Sequence, residues 1–360
     1  MWVLGEVFGS LFFSVYSLGP GVISNTDFSF GYIGYTVAHL AILYPIVASF
    51  GVYGASFVCA LFALILYLGV HKNRYSAPVY PLSFLGVLLA LYLLVPSPPR
   101  TEEGRKIMAI DTRFDINFLN QPGADETKIR EELSAVLEAN KYDPDIILLP
   151  EDSRLTTQFT TANEASAFFK TKIGTSTLVV DTARVTDERG MTVLRAFYHD
   201  LRNNRVYLAD KQYLIPQGEH VTYLSSFIIK LLGNDELLSL MNQNQNYHSG
   251  ALVDYKNFPA DLPGLLFCSE SIVPSAVRGI AAKRQSSLVL HPVSHARFHR
   301  TSFFNDQLDA MLRVQAIWNN KTIVSASNFG EGKVYYNSGD ILRGEVKTST
   351  KFWTLVEYNI

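Results

Sequence analysis

Cysteine is almost missing from this sequence. The 360 residues include only Cys59 and Cys268, which excludes a disulfide scaffold and a zinc ribbon. An excess of either charge is missing too. With 31 basic and 33 acidic residues the formal net charge is −2. No surplus of Lys and Arg exists to displace phosphate counterions, so a nucleic-acid binder driven by bulk charge is excluded. At 48% hydrophobic residues the chain is not a disordered one, since disorder needs low hydrophobicity and high net charge. It contains no internal repeat and no low-complexity run.

Charge is scarcest at the start. The first 100 residues carry only Glu6, Asp27, Lys72, Arg74 and Arg100. This divides the chain into an apolar membrane region (1–96), a short Pro-rich linker (97–105) and a soluble domain (106–360). A bilayer core of about 30 Å takes roughly 20 apolar residues of helix. Three stretches are expected to span it: Trp2 to Ile23, Val47 to Val70 and Val79 to Val95. Tyr32 to Pro45 is too short to span and reads as an interfacial or re-entrant piece. His71-Lys72-Asn73-Arg74 holds both basic residues of the loops between spans. It is expected inside, with the N-terminus inside and everything after residue 100 outside. No basic segment precedes the first apolar run, so a cleavable signal peptide is not expected. Cys59 reads as a small buried thiol at a helix contact, and both cysteines as free thiols.

The soluble part alternates strand and helix signals. Strands are expected at Lys106–Asp111, Asp145–Glu151, Thr177–Val185, Thr192–Asp200, Val206–Leu208, Gly264–Cys268, Ser287–Val293, Thr322–Ser327, Lys333–Asn337 and Phe352–Tyr358. Helices are expected from an Asp125 cap to Lys141 and at Asn163–Lys172, Pro274–Lys283 and Asn305–Trp318. This alternation predicts an α/β layered domain.

Three strand ends carry residues suited to chemistry: Glu151, Lys211 with Glu219, and Cys268 with Glu270. Sites in open α/β sheets form beyond the C-terminal ends of strands. A Cys there, followed by a small residue and a helix, suits a nucleophile on a tight turn. Read singly, each has a plainer explanation: a small buried thiol, a cap, a solvated Lys. His291, His295 and His299 recur every fourth residue. Pro292 interrupts that pattern, so they read as hydrogen-bonded histidines near the cleft and no metal site is assigned.

Taken together, the segments resemble the nitrilase (carbon–nitrogen hydrolase) superfamily, and within it the membrane-bound apolipoprotein N-acyltransferases. That branch carries Trp-Pro-Glu-Ser, Lys-x-x-Leu-Val-Pro-Phe-Gly-Glu and Cys-Tyr-Glu segments. Here they read Leu149-Pro150-Glu151-Asp152-Ser153, Lys211-Gln212-Tyr213-Leu214-Ile215-Pro216-Gln217-Gly218-Glu219 and Cys268-Ser269-Glu270. The run Phe50-Gly51-Val52-Tyr53-Gly54-Ala55-Ser56-Phe57 is similar to one before a spanning helix of that branch. The sequence departs from the pattern at Leu149, Gln217 and Ser269, and has fewer apolar spans than the branch commonly has.

The resemblance implies an αββα sandwich behind N-terminal transmembrane helices. It implies Glu151 as general base, Cys268 as the nucleophile that holds a fatty acyl group as a thioester, and Lys211 with the backbone N–H of Ser269 as oxyanion donors. Glu219 and Glu270 would support the site. The donor would be a phospholipid and the acceptor the N-terminal amine of a lipid-modified lipoprotein, at the outer face of the bacterial cytoplasmic membrane. No cofactor and no nucleic acid are implied. The same residues also suit a membrane-tethered amidase or nitrilase-type hydrolase, and the altered neighbours of Glu151 and Cys268 leave a catalytically silent membrane scaffold as a third reading. Tyr223 to Met241, rich in Leu, Ile and Phe, is either an apolar arm that dips into the membrane or a buried helix of the domain.

Overall fold

The computed structural model describes every residue except 26, 73–78, 102, 120, 251–257 and 297–301. The N-terminal region forms helices α1 (Trp2–Tyr16), α2 (Gly34–Val37), α3 (Tyr44–Lys72) and α4 (Val79–Leu94). Among the described helices one stretch, Ala41–Gly69, is long and apolar enough to cross a membrane. Helices α1 and α4 have 15 and 16 residues. At about 1.5 Å per residue they fall short of a core about 30 Å thick. Where three spans were expected, one helix has spanning length. The first expected span ends early because the chain leaves the helix at Ser17. It then runs along the part of the chain after residue 105, where Ser249 N–H donates to Gly21 O (2.9 Å) and Ser29 N–H to Ile272 O (2.9 Å). The segment after it folds into α2 and a 3-10 turn at Ala41–Leu43. Both are too short to span.

Helix α3 is kinked at Gly51, whose φ is 60°. A Cβ there would strike the indole of Trp318. Glycine thus supplies both the left-handed backbone and the close approach. Of the basic loop after α3, Asn73 and Arg74 lie outside the described residues. The linker packs down, with Arg100 paired to Asp340 at 2.9 Å and Thr101 N–H donating to Asn337 Oδ1 at 3.0 Å.

The rest is built from strands β1 (Lys106–Thr112), β2 (Ile146–Leu148), β3 (Leu178–Thr186), β4 (Thr192–Asp200), β5 (Arg205–Asp210), β6 (Gly264–Leu265), β7 (Leu288–Ser294), β8 (Thr322–Asn328), β9 (Val334–Tyr335), β10 (Ile341–Leu342), β11 (Glu345–Ser349) and β12 (Trp353–Asn359). Between them run α5 (Ile116–Leu119), α6 (Ala124–Ala139), α7 (Ala162–Ile173), α8 (Tyr223–Leu231), α9 (Asp235–Asn244), α10 (Pro274–Lys283) and α11 (Ser302–Asn319). Strands β11-β12-β1-β2-β3-β4-β5 form one half of the sheet and β6-β7-β8-β9-β10 the other. The halves meet where Thr112 pairs with Asn328.

Alternation along the strands reveals the layers. Ile107, Ala109, Ile146, Leu148 and Val180 of the first half meet Leu265, Leu288, Leu290, Val324 and Ala326 of the second in one core. Their neighbours Met108, Ile110, Ile147, Leu149 and Val179 face the other way, onto Val136 and Ala139 of α6 and Ala165 and Phe169 of α7. Val289 and Ile323 likewise face Val277 and Ile280 of α10 and Leu312 and Ala316 of α11. The result is the expected αββα sandwich. A fourth cluster joins α2, α3 and α4 to Met311, Val314 and Ile317 of α11, so α11 is shared by the sandwich and the apolar region.

One sequence expectation needs correcting. Gly123, at φ 75°, caps α6, and Asp125 lies in the first turn, where its charge still favours the helix dipole. Strand β7 runs through Pro292 and ends at Ser294, one residue past its expected limit, pairing with β8 over its whole length.

Candidate active site

Three strand ends converge. Glu151 lies just past β2, Lys211 just past β5, and Cys268 opens a 3-10 helix, Cys268–Ile272, after β6. All three are buried, at 8%, 0% and 7% exposure. The Lys211 ammonium donates to Glu151 Oε1 at 3.0 Å and to Glu219 Oε1 at 2.6 Å. A buried ammonium needs such partners, because leaving one unpaired in the interior costs several kcal/mol. The Cys268 thiol points toward the carbonyl of Ser294, 3.9 Å away.

The remaining residues tie these loops together. Glu219 Oε2 accepts from Ile215 N–H (2.9 Å), which folds the Lys211 loop back on itself. Glu270 accepts from the N–H groups of Gln212 (2.8 Å) and Phe267 (2.9 Å). The Ser269 hydroxyl donates to Tyr213 O at 2.8 Å. Glu270 and Ser269 therefore fasten the Cys268 turn to the Lys211 loop. The Ser269 N–H sits in the first turn of that helix, where amides have no partner within the helix.

Burial pushes the Glu151 carboxyl up to about 7. The Lys211 charge opposes this and the Glu219 charge adds to it. Burial also pushes the Cys268 thiol well up, and Glu151 outweighs Lys211 in the same direction. Burial alone would lower Lys211, but Glu151 and Glu219 more than offset it and hold the ammonium charged. Burial raises Glu270, against the backbone N–H groups it accepts from. At rest this is a neutral thiol beside a carboxylate that titrates near neutrality and a permanent cation. Such a set suits attack in which the base takes the thiol proton as the bond forms.

The three departures from the family motifs each have a local role. Leu149 fills the core between the sheet and α6. Ser269 makes the cross-loop hydrogen bond above. Gln217 adopts φ 61°, and its side-chain amide donates to the hydroxyls of Thr222 (3.2 Å) and Ser225 at the start of α8.

His291 lies next to the Cys268 turn, where the Cys268 backbone and the Lys211 charge both act on it. His291 Nδ1 lies 2.9 Å from the Ser325 hydroxyl and His295 Nδ1 3.4 Å from that of Ser327. Burial holds them near 3 and 4, as neutral rings. His299 lies outside the described residues. A cavity of about 690 Å³ lies beside them, also lined by Asp111, Asp309, Lys333 and Tyr335, and none of Glu151, Lys211 and Cys268 lines it. Among the described residues no three His, Cys, Asp or Glu side chains are grouped to hold a metal ion.

Sequence reasoning passed over what holds Glu151. Asp181 and Thr182 of β3, both fully buried, hydrogen-bond the loop that carries it. The signal was a polar pair directly after the apolar run Leu178–Val180.

No known family profile matches the chain, and no curated protein does. Among solved structures it is similar to an amidase of the nitrilase superfamily from Nesterenkonia AN1, at 13% identity over 74% of this chain and 94% of that one, with a TM-score of 0.47. A second structure of that amidase, with the acetamide moiety of fluoroacetamide on its active-site cysteine, gives 15%, 73%, 94% and 0.45. A carbon–nitrogen hydrolase from Helicobacter pylori gives 14%, 71%, 90% and 0.45.

Proposed function

We propose that the protein is a membrane-bound acyltransferase of the nitrilase type, which moves a fatty acyl group from a phospholipid through a Cys268 thioester to the N-terminal amine of a lipoprotein. The observation that carries the reading is the buried Lys211 ammonium held between Glu151 and Glu219 next to the loop of a buried thiol. Glu151 takes the thiol proton as sulfur bonds to the ester carbonyl carbon. Lys211 and the Ser269 N–H stabilise the oxyanion. As the ester C–O bond breaks, protonated Glu151 returns its proton to the leaving alkoxide. In the second half an amine attacks the thioester, Glu151 takes its proton, the C–S bond breaks and the thiolate is reprotonated. Glu219 and Glu270 hold the cation and the two loops in register.

The lipid side of the proposal rests on apolar surface. Helix α8 buries none of its residues. Tyr223, Phe227, Leu231 and Leu232 are each at least 60% exposed, which favours the membrane-dipping arm over the core helix. The exposed Trp2, Phe8 and Phe12 of α1 and Leu82 and Leu93 of α4 suit the same lipid phase. In this proposal the N-terminal region lies in the cytoplasmic membrane and the sandwich on its outer face.

The test is the intact mass of the protein in lipid after incubation with phospholipid. The reading expects a fatty-acyl addition that hydroxylamine removes and that Cys268→Ala lacks. No adduct on a folded protein overturns the phospholipid donor. Turnover of small amides in its place would make the protein a tethered hydrolase, and inertness toward both a silent scaffold.

A further inference from the structure

The loop from Pro150 to Thr156 is under strain. Asp152 and Arg154 both lie in the left-handed region, at φ 63° and 68°. A non-glycine residue costs about 1 kcal/mol or more there and persists only when its surroundings impose it. The imposition comes from β3. Beyond Val180 the β2 side of this strand is open, because β2 ends at Leu148. The loop continues along that edge, with Leu149 N–H donating to Val180 O (3.1 Å) and Arg154 N–H to Thr182 O (2.9 Å).

Two successive side chains of β3, which alternation sends to opposite faces of the sheet, then grip the loop. The Thr182 hydroxyl accepts from Asp152 N–H at 2.7 Å and donates to Pro150 O at 3.2 Å. These are the peptide groups on either side of Glu151. Asp181 accepts from the Ser153 hydroxyl and from Thr156 N–H, both at 2.6 Å. The Asp152 side chain is paired with Arg154 and Arg184, and Lys128 of α6 donates to its carbonyl.

We infer that Thr182 is a positioning residue for Glu151: its hydroxyl brackets the Glu151 peptide and sets the carboxylate against Lys211, while Asp181 holds the far end of the strained loop. The inference rests on Glu151 acting as the base for Cys268. A hydroxyl that both accepts and donates is needed for this, so Thr182→Val, nearly the same shape, removes both contacts, and Thr182→Ser keeps them.

The experiment is alkylation of Cys268 by iodoacetamide in the full-length protein in detergent. It is followed by peptide mass so that Cys59 is scored separately, at pH values from 5 to 9. This probe needs no acyl donor, so it reads the base even in a protein that transfers nothing from phospholipid. Thr182→Val is expected to slow alkylation about 10- to 100-fold at pH 7, the usual effect of a misplaced catalytic group. It should also displace the acid limb of the profile, and Thr182→Ser should stay within about threefold of wild type. Wild-type rate and profile in Thr182→Val, or a loss that Thr182→Ser shares, overturns the bracket. A slower rate with an unmoved acid limb and a lowered melting temperature assigns Thr182 to folding alone and overturns it too. Glu151→Gln at wild-type rate removes the base itself and with it the bracket's purpose. An alkylation profile that depends on Glu151 and Thr182 in a protein that phospholipid never acylates leaves the bracket standing and overturns only the proposed donor.

Discussion

The two regions of this molecule are built inside out with respect to each other. In the sandwich, apolar side chains are inside: Ile107, Leu148, Val180 and Val324 have no more than traces of exposure. In α1 the buried residues are Ser10 and Ser14, while Trp2, Leu4, Phe8 and Phe12 point outward. Helix α8, though it lies in the sequence of the sandwich, presents Phe227 and Leu231 outward as α1 does. Water expels such surface, and the proposed membrane contact would cover it in both helices. The polar residues of the N-terminal region also do different work. Asp27 accepts from Tyr53 of α3 and from Ser275 N–H at the start of α10, tying the apolar helices to the helix that follows the Cys268 turn.

The largest expected effect breaks the sandwich side of this comparison. Lys211 is a fully buried cation shared by Glu151, buried, and Glu219, partly buried. Lys211→Met leaves Glu151 and Glu219 facing each other without it. Removing one partner of a buried ion pair typically costs about 3–5 kcal/mol. Acylation of Cys268 should become undetectable and the melting temperature should fall sharply. Full activity in this variant would remove Lys211 from the site.

A second prediction uses pH. Burial places the Glu151 carboxyl near 7, and a base works only when deprotonated. Acylation of Cys268 should therefore fall tenfold per pH unit below about 7 and level off above it. Glu151→Gln should lose that limb. A rate independent of pH between 5 and 8 would exclude Glu151 as the base.

The join between the regions can be broken at one atom. Gly51→Ala puts a methyl group into the Trp318 indole at a backbone conformation that disfavours any side chain. Overpacking of this kind costs about 1–3 kcal/mol. The expected result is a lower melting temperature in detergent, with α3 loosened from α11 and intact Cys268 chemistry toward a water-soluble ester.

How much of this was legible differs between the regions for the same reason. Strands such as Thr192–Asp200 and helices such as Pro274–Lys283 stand at their expected limits, because alternation and helical spacing record which side chain meets a core. Strand β11, Glu-Val-Lys-Thr-Ser, went unread: it is a polar edge strand, and edges are kept polar to prevent pairing with other chains. Glu151, Lys211 and Cys268 were legible as strand ends, and the structure brings them together. Thr182 was not, because a hydroxyl bracket leaves no periodic trace. Of the three expected spans one helix has spanning length, and the other two apolar stretches form helices of 15 and 16 residues, because hydropathy measures how apolar a stretch is and not where its helix ends.

The arm offers a sharper test of the comparison. Replacing Phe227 and Leu231 together by Asp removes outward apolar surface without touching a core, so the melting temperature should hold. Acylation from phospholipid vesicles should fall at least about 100-fold, since two lost apolar contacts at about 1.5–3 kcal/mol each come to about 3–6 kcal/mol. Reaction with a short soluble ester should be unchanged. Equal loss with both donors would place α8 in the machinery of the site.

A last prediction tests the sandwich interior where it breaks its own rule. Glu132 of α6 is fully buried, and among the described residues neither of its carboxyl oxygens has a hydrogen-bond partner. Burial lifts it well above the usual carboxylate value of 4.5, against the pull of Lys128. A carboxyl raised in the folded state favours folding most when both states are protonated, and loses that advantage as pH climbs from the unfolded value to the folded one. Glu132→Gln keeps the neutral shape and cannot ionise. Its stability relative to wild type should be constant below about pH 4 and improve as pH rises, by up to about 1.4 kcal/mol per pH unit. Denaturant unfolding at pH 4 and pH 8 reads the difference. A variant less stable than wild type by the same amount at both would mean that Glu132 finds a charge partner in the folded protein, so that even this carboxylate obeys the pairing seen at Lys211.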